Sequence, residues 1–263
     1  MFLFSRTLKL LAYRTAEIFR IVPTIWMMRN PFKIHEFQTV VSGSQLGPDD
    51  AILDLGCGKG FQTQVLARSC RSAVGLDISE AQIKQARFFL KRSYVEKRVQ
   101  FVAGRLEDVR LPSESFDRVF SFCVLEHIPN LHQVLCELAR VLKPGGEIHA
   151  SVDALTSIKD EDLIARHKSD HHVIQYFTPS SLRRQLEVAG LEVFAISTIM
   201  TSEFARRQFE DRIRRADFSY GLVNRLRFNR RLQTEEKSGG EARGGPGNDG
   251  GIMIVVRARR AKA

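Results

Sequence analysis

Two kinds of hydrophobic pattern follow each other along the chain. Residues 3–22 place apolar side chains on one side of a helix and charged side chains on the other, and Pro23 then ends or kinks that helix. After a loop at residues 43–50, short apolar runs alternate with longer helical patterns. This alternation is typical of α/β proteins.

The short apolar runs predict seven strands, with helices between them. The strands are predicted at residues 51–55, 72–76, 98–102, 117–121, 146–152, 192–199 and 252–258. The helices are predicted near residues 60–69, 80–93, 130–141 and 179–189. Several strands are apolar along most of their length, which is expected when helices cover both faces of a sheet. The predicted fold class is therefore α/β, with a doubly wound, seven-stranded and mostly parallel sheet.

The chain is long enough for one large core with appendages. It has 263 residues, of which 43% are hydrophobic. The predicted order is a helical extension or lid (1–44), the core (45–200), a basic helical insertion (201–233), a flexible glycine-rich loop (234–251), and the last strand with a basic tail (252–263).

The net charge of +10 lies mainly at the two ends. Residues 1–34 contain six Lys/Arg and one acidic residue, and residues 201–263 contain fifteen and eight. Residues 51–200 contain nineteen Lys/Arg and eighteen acidic residues, so the core is almost neutral. A nucleic acid or an anionic membrane would therefore contact the ends rather than the core.

The cysteines and the apolar segments indicate a cellular location. Cys57, Cys70, Cys123 and Cys136 form no CxxC pair and have no histidine at zinc-finger spacing, which disfavours disulfides and structural zinc. No signal peptide or membrane span is evident. We expect a cytoplasmic protein, with peripheral contact to the inner face of a membrane through residues 1–28 as an addition.

A glycine-rich loop follows the first predicted strand, in the segment Asp54-Leu-Gly-Cys-Gly-Lys-Gly60. Glycines without Cβ atoms let a ligand approach the bare backbone. The dinucleotide pattern GxGxxG fails because the sixth position from Gly56 is Phe61, and the Walker pattern fails because no Gly-Lys-Ser/Thr ends the loop.

The spacing Asp54-x-Gly56-x-Gly58-x-Gly60 resembles the first motif of the class I S-adenosylmethionine methyltransferases. Segments at 101–108, 115–120, 124–128 and 138–146 continue this resemblance, which covers about residues 45–200. It implies a Rossmann-like methyltransferase fold with S-adenosylmethionine as the cofactor. It also implies that the loop packs against the methionine part of the cofactor, with Asp54 near its amino group.

Asp77 follows the second predicted strand, twenty-one residues after Gly56. An acidic side chain at this point of a nucleotide-type fold can accept hydrogen bonds from both ribose hydroxyls. The alternative is that Asp77 caps the helix that starts near Ser79. The complete set of predicted cofactor-binding residues is Asp54, Gly56, Cys57, Gly58, Gly60, Asp77, Ile78, Leu106, Phe122 and Cys123.

Arg105 departs from the family pattern. Members of the family often carry Asp directly after the glycine at position 104, where it approaches the adenine amino group, and an arginine cannot accept that hydrogen bond. We expect adenine to be held instead by the backbone around Leu106 and by the apolar Ile78.

The predicted catalytic residues are His127, His171 and Tyr176. His127 follows the fourth strand, where the family places the cofactor beside the acceptor, although it is also compatible with a packed residue before a helix. The segment from His171 to Pro179 resembles the loop that forms the substrate-side wall. On an extended segment, at most one of His171 and His172 points into the site. His167 and His171 lack further metal-ligand spacing, so no metal site is predicted.

The sequence therefore predicts an enzyme that methylates a small-molecule or lipid-like acceptor. RNA is the minority alternative, based on the arginines and phenylalanines of residues 203–232. A catalytically silent scaffold or adaptor is the other alternative, because Arg105 departs from the pattern and no general base is obvious.

Overall fold

A single seven-stranded sheet organises the part of the chain that this computed structural model describes, residues 28–91, 93–242 and 250–262. Its strands are β1 (Ala51–Leu55), β2 (Ser72–Asp77), β3 (Val99–Ala103), β4 (Phe116–Phe122), β5 (Leu142–Asp153), β6 (Leu191–Ile199) and β7 (Met253–Arg260). They lie in the order β3-β2-β1-β4-β5-β7-β6. Only the two pairings made by β7 are antiparallel.

Helices connect these strands. They are α1 (Pro31–Ser42), α2 (Phe61–Leu66), α3 (Glu80–Leu90), α4 (Leu131–Val141), α5 (Glu161–Asp170), α6 (Pro179–Val188), α7 (Glu203–Arg215) and α8 (Leu222–Ala242). Short 3₁₀ turns lie at Glu96–Arg98 and Leu125–His127. No helix in the described ranges is long and apolar enough to cross a membrane.

The sheet is covered on both faces. Ile52 belongs to one hydrophobic cluster, while Leu53 and Leu55 of the same strand belong to another. Helices α1, α2, α3, α5, α7 and α8 contribute to the first cluster, and α4 and α6 contribute to the second. This arrangement confirms the predicted doubly wound, mostly parallel sheet.

The strand order places a crevice at the carboxyl ends of β1 and β4. The chain passes from β1 outward to β2 and β3 and then returns to pair β4 with the other side of β1. In doubly wound sheets such a reversal of strand order leaves an open crevice where ligands bind.

Helix α5 was not among the predicted helices. Asp160 caps it by accepting a hydrogen bond from the Leu163 amide at 3.1 Å, and Glu161 and Asp162 lie in its first turn. Only Leu163 and His167 of this helix are buried, so its apolar stripe is too narrow to give a clear periodic signal. Helix α1 was also not predicted as a separate element, and the helix predicted at residues 3–22 lies outside the described residues.

The prediction of a flexible loop at residues 234–251 is wrong for its first half. Residues 234–242 complete α8, and residues 243–249 lie outside the described part. Two local contacts support the helix where it becomes polar. Arg231 pairs with Glu235 at 2.8 Å, and the Thr234 hydroxyl donates to the Arg230 carbonyl at 2.9 Å. The composition of the segment indicated a loop because it contains almost no apolar side chains.

Candidate functional site

A cavity of about 820 Å³ opens at the carboxyl ends of β1, β2 and β4. A cavity of this size is large enough for a nucleotide-sized ligand and a small second molecule. Nine of the predicted site residues line it: Gly56, Gly58, Asp77, Ile78, Leu106, Phe122, Cys123, His127 and His171. The structure thus brings residues from the ends of β1, β2, β3 and β4 and from the segment after α5 into one site.

The glycines of the β1–α2 loop let the backbone form one wall of this cavity. Gly56 has φ +74°, and a Cβ atom there would lie 2.2 Å from the Val124 side chain. Gly58 has φ +53°, and a Cβ atom there would meet only the Gln82 side chain, at 3.4 Å. Gly56 is therefore required by close packing, while Gly58 presents bare backbone to the cavity.

Asp77 joins the glycine loop to the end of β2. Its Oδ2 accepts a hydrogen bond from the Gly58 amide at 2.8 Å, and its Oδ1 accepts one from the Ser79 amide at 2.9 Å. The side chain that caps α3 belongs to Ser79, which accepts from the Gln82 amide at 3.3 Å. The alternative that Asp77 is the helix cap is therefore wrong. Both carboxylate oxygens keep lone pairs for a further donor, and the ribose role stays a prediction.

Three of the predicted cofactor residues, Asp54, Cys57 and Gly60, support the loop from beneath. Asp54 is fully buried, accepts a hydrogen bond from the Thr63 hydroxyl at 2.5 Å, and has its pKa raised to about 7 by burial. Burial also raises the pKa of the Cys57 thiol. Gly60 begins α2 with φ +72°, and a Cβ atom there would lie 2.2 Å from the Phe101 ring. These three residues hold the loop in place and do not line the cavity.

The wall of the cavity opposite the glycine loop is formed by residues that follow β2 and β3. Ile78 keeps 76% of its side chain exposed although it is apolar, and it faces the cavity. Leu106 is buried, while Arg105 and Glu107 also line the cavity. An exposed apolar side chain above a concave surface fits a flat ligand ring such as adenine. The sequence analysis missed Glu107, whose carboxylate is the kind of acceptor that Arg105 lacks.

Histidines form the other end of the cavity. His127 lies in the 3₁₀ turn after β4, and its Nδ1 is 3.2 Å from the His172 carbonyl oxygen. His171 ends α5, and His172 has φ +55°. Both residues line the cavity, and the prediction that at most one of their side chains points into the site stays a prediction. That prediction assumed an extended segment, whereas the structure has a turn with hydrogen bonds back to α5.

Tyr176 lies behind this histidine wall rather than in it. Its hydroxyl is 2.9 Å from His167 Nδ1, and the His167 ring is 4.5 Å from the His171 ring. Burial raises the pKa of Tyr176 and lowers the pKa of His167 to about 4. Tyr176 is thus placed to orient His167, and only His171 of these three reaches the cavity.

Aromatic side chains of the insertion cover the histidine wall. Phe32 of α1 packs against Phe209, Phe218 and Phe228, with ring centroids 5.1, 6.2 and 4.9 Å away. Phe218 in turn contacts the ring of His171 at 5.8 Å. Helices α7 and α8 and the segment between them therefore form an aromatic cap that packs behind the histidine wall, and the predicted basic insertion turns an apolar side inward.

A buried cluster of acidic side chains adjoins the cavity at Cys123. The Cys123 thiol is 3.1 Å from Glu36 Oε1 and 3.4 Å from Asp153 Oδ1. Glu126 Oε1 accepts a hydrogen bond from the Asp153 amide at 3.0 Å. We call Glu36, Cys123, Glu126 and Asp153 the acidic cluster. The sequence analysis named only Cys123 of this group, because the others come from separate elements that the fold brings together.

Comparison with known proteins matches the centre of the chain. Residues 53–150 match the family model described as a methyltransferase domain. A 24-methylenesterol C-methyltransferase 2 of Oryza sativa subsp. japonica is 30% identical over 164 residues, which are 62% of this chain and 45% of the relative. An arsenite methyltransferase of Mus musculus is 37% identical over 129 residues, 44% of this chain and 34% of the relative. The chain thus spans less than half the length of these curated relatives.

Solved structures share the fold. The geranyl diphosphate C-methyltransferase from Streptomyces coelicolor A3(2) has a TM-score of 0.64 at 15% identity, over 86% of this chain and 78% of that chain. The [4+2]-cyclase SpnF has a TM-score of 0.63 at 18% identity, over 86% and 81%. At such low identity the likeness shows the fold alone.

Proposed function

Because residues 53–150 belong to the class I S-adenosylmethionine-dependent methyltransferases, we propose that this protein methylates a small, largely apolar acceptor. The predictions of the family and of S-adenosylmethionine as its cofactor are confirmed. Beyond the family and the cofactor, we propose the class of acceptor and the methylating activity of the whole protein.

The division of the cavity into two ends is the observation that carries the proposal. One end has the bare loop, Asp77 and Ile78, which suit the methionine, ribose and adenine parts of the cofactor. The other has Cys123 and the histidines, beneath the aromatic cap. When bound, the cofactor supplies an activated methyl group, so the protein chiefly has to align the acceptor and exclude water.

The acceptor end favours a lipid-like molecule. Ile174 lines the cavity with 44% of its side chain exposed. This apolar surface would be covered by an apolar acceptor at a gain of about 25 cal/mol per Å². The similarity to sterol methyltransferases supports the same acceptor class.

Proton transfer from the acceptor is assigned to the histidine wall. Burial lowers the pKa of His171, which keeps its imidazole neutral near pH 7 and able to accept a proton. His127 lies beside it, and Tyr176 positions the neighbouring His167. We assign the adenine amino contact to Glu107, because Arg105 cannot accept its hydrogen bond.

Calorimetry tests the cofactor end. Wild-type protein should bind S-adenosylmethionine and its demethylated product, and Asp77→Ala should weaken binding at least about tenfold, since hydrogen bonds to a charged group contribute about 1.5–3 kcal/mol. Asp49→Ala, at an exposed aspartate outside the cavity, is the matched control and should bind normally. Wild-type protein that binds neither compound contradicts the proposal.

Labelled cofactor tests the acceptor end. The protein is incubated with lipid and metabolite extracts and methyl-labelled S-adenosylmethionine, and the products are identified by mass spectrometry. A labelled apolar small molecule is the expected result. Cofactor binding without any labelled product would favour the scaffold alternative, and label found only in RNA would favour the RNA alternative.

A further inference from the structure

We propose that the acidic cluster binds a divalent metal ion through Cys123, Glu126 and Asp153. One thiol sulfur and two carboxylate oxygens of these residues lie within 4.8 Å of one another. Glu126 is completely buried and Asp153 is 7% exposed, while Cys123 is partly exposed and lines the cavity. The site is distinct from the His167–His171 pair considered in the sequence analysis.

An unpartnered oxygen of Glu126 points to a missing ligand. Glu126 Oε1 is occupied by the Asp153 amide, but Oε2 is buried and has no hydrogen-bond partner within the described residues. A buried carboxylate oxygen without a partner is costly, because it has lost its water and gained nothing in return. A metal ion would satisfy this oxygen directly.

The charges of the cluster also call for a cation. Lys33 lies 3.0 Å from Glu36 Oε2 and neutralises that carboxylate. Among the described residues, neither Glu126 nor Asp153 has a Lys or Arg nitrogen at ion-pair distance, and Asp153 Oδ2 lies 3.8 Å from His167 Nε2. The Lys33 ammonium also hydrogen-bonds the Cys123 thiol and attracts Asp153 from a longer distance. With Lys33 shared between Glu36 and Cys123, one divalent cation would offset the charges of the Glu126 and Asp153 carboxylates.

The donor set identifies the class of ion. A thiolate with two carboxylates suits Zn²⁺ or Co²⁺ better than Mg²⁺ or Ca²⁺, which take oxygen ligands. Binding breaks the Cys123 S–H bond, forms the sulfur–metal bond and releases the proton to solvent. Three protein ligands leave an open position, and because Cys123 lines the cavity, that position is available to an acceptor oxygen or sulfur.

This inference deepens the proposed function and rests on it. A bound metal would lower the pKa of an acceptor hydroxyl or thiol, so that His171 could take its proton near neutral pH. The oxygen or sulfur would then bond to the methyl carbon as the sulfur–methyl bond of the cofactor breaks, leaving the demethylated cofactor. The inference therefore predicts an acceptor whose apolar body carries a hydroxyl or thiol at the methylated position.

A cobalt titration tests the site. Purified ion-free protein is titrated with Co²⁺, and thiolate ligation is detected as a sulfur-to-cobalt charge-transfer band in the near ultraviolet. The exposed Cys136 lies 3.6 Å from His132 Nε2 and forms a competing surface pair, so Cys136→Ser is the reference protein. We expect the band to persist in Cys136→Ser and to disappear when Cys123→Ser is added.

The part of the Asp153 and Glu126 carboxylates is tested by measuring metal affinity in variants that lack them. Asp153→Asn and Glu126→Gln, each in the Cys136→Ser background, should weaken Co²⁺ and Zn²⁺ binding at least about tenfold. Circular dichroism checks that each variant is folded. If Glu126→Gln does not fold, the affinity of Asp153→Asn alone tests the carboxylates. Absence of the band in Cys136→Ser, or its persistence without Cys123, overturns the metal site.

Failure of the metal site can be told apart from failure of the proposed function. Calorimetry with the demethylated cofactor, carried out without added metal, reports on the cofactor end alone. Normal cofactor binding without cobalt binding rejects only the metal site. Absent cofactor binding rejects the proposed function, whatever the cobalt result.

Discussion

Because Gly60 has no Cβ atom, the glycine loop packs closely against Phe101 of β3. We expect Gly60→Ala to destabilise the fold by about 2–5 kcal/mol, combining about 1–2 kcal/mol for the left-handed backbone with about 1–3 kcal/mol for the clash with Phe101. Gly190→Ala is the matched control, because Gly190 has φ +82° but nothing within 4 Å of its Cβ position. Urea denaturation measures both variants. Equal losses would show that packing against Phe101 contributes nothing.

Buried His35 makes stability depend on pH. It is 6% exposed, and burial lowers its pKa from 6.5 to about 4. Between about pH 4 and 6.5, His35 is therefore protonated in the unfolded chain and neutral in the folded protein. This contribution to stability is complete above pH 6.5 and is lost as pH falls from 6.5 to 4, by up to roughly 3 kcal/mol.

His35→Leu removes the titrating group and keeps an apolar side chain. Other buried groups titrate in the same range, so the quantity to compare is the difference in unfolding free energy between variant and wild type. We expect this difference to grow in favour of His35→Leu between pH 7 and pH 4.5, in urea denaturation series at each pH. A difference that does not change with pH would show that the pKa of His35 is the same in the folded and the unfolded chain.

The residues that sequence analysis could predict are those whose spacing is local. Gly56, Gly58 and Asp77 follow consecutive strands, so the strand pattern together with the glycine spacing and the family resemblance placed them in one crevice. The acidic cluster was not predictable in this way. Glu36 and Cys123 are 87 positions apart and meet only because α1 packs across the sheet. The periodic pattern of apolar residues in a sequence gives no information about a contact between such distant residues.

At the scale of elements, the strands were predicted closely, while several helices were not. Strands such as β1 are buried along their whole length, which leaves a continuous apolar run in the sequence. Helix α5 buries only two residues, and the end of α8 relies on polar contacts within the helix. Helices that face mostly solvent leave little hydrophobic pattern to detect.

Helix α1 should hold the aromatic cap in place through Phe32. This side chain is completely buried among three rings of the cap, so we expect Phe32→Ala to destabilise the protein by about 3–5 kcal/mol. It should also speed amide hydrogen exchange in α7 and α8. Phe194→Ala in β6 is the control, since that side chain is 43% exposed and should cost less than about 1 kcal/mol. Unchanged exchange in both helices would show that the cap holds without Phe32.

At the scale of the whole molecule, the excess positive charge is less available than the sequence suggested. Helix α7 pairs most of its arginines with its own acidic residues, including Arg206 with Glu210 at 2.9 Å and Arg215 with Asp211 at 2.9 Å. Arg214 lies 3.5 Å from Asp160, which caps α5. Sequence counts could not show this pairing, because it depends on helical spacing and on packing between elements.

Paired arginines should bind RNA weakly. At about 0.15 M salt we expect affinity for single-stranded RNA no tighter than the micromolar range of non-specific binding, measured by fluorescence anisotropy. Replacing Arg214 and Arg215 together by Gln should change it little, because their charges already face carboxylates. A submicromolar dissociation constant that weakens steeply with salt, and is lost in the double variant, would instead identify α7 as an RNA-binding surface. That result would make RNA the acceptor class to test first, since the same helix forms the cap over the histidine wall.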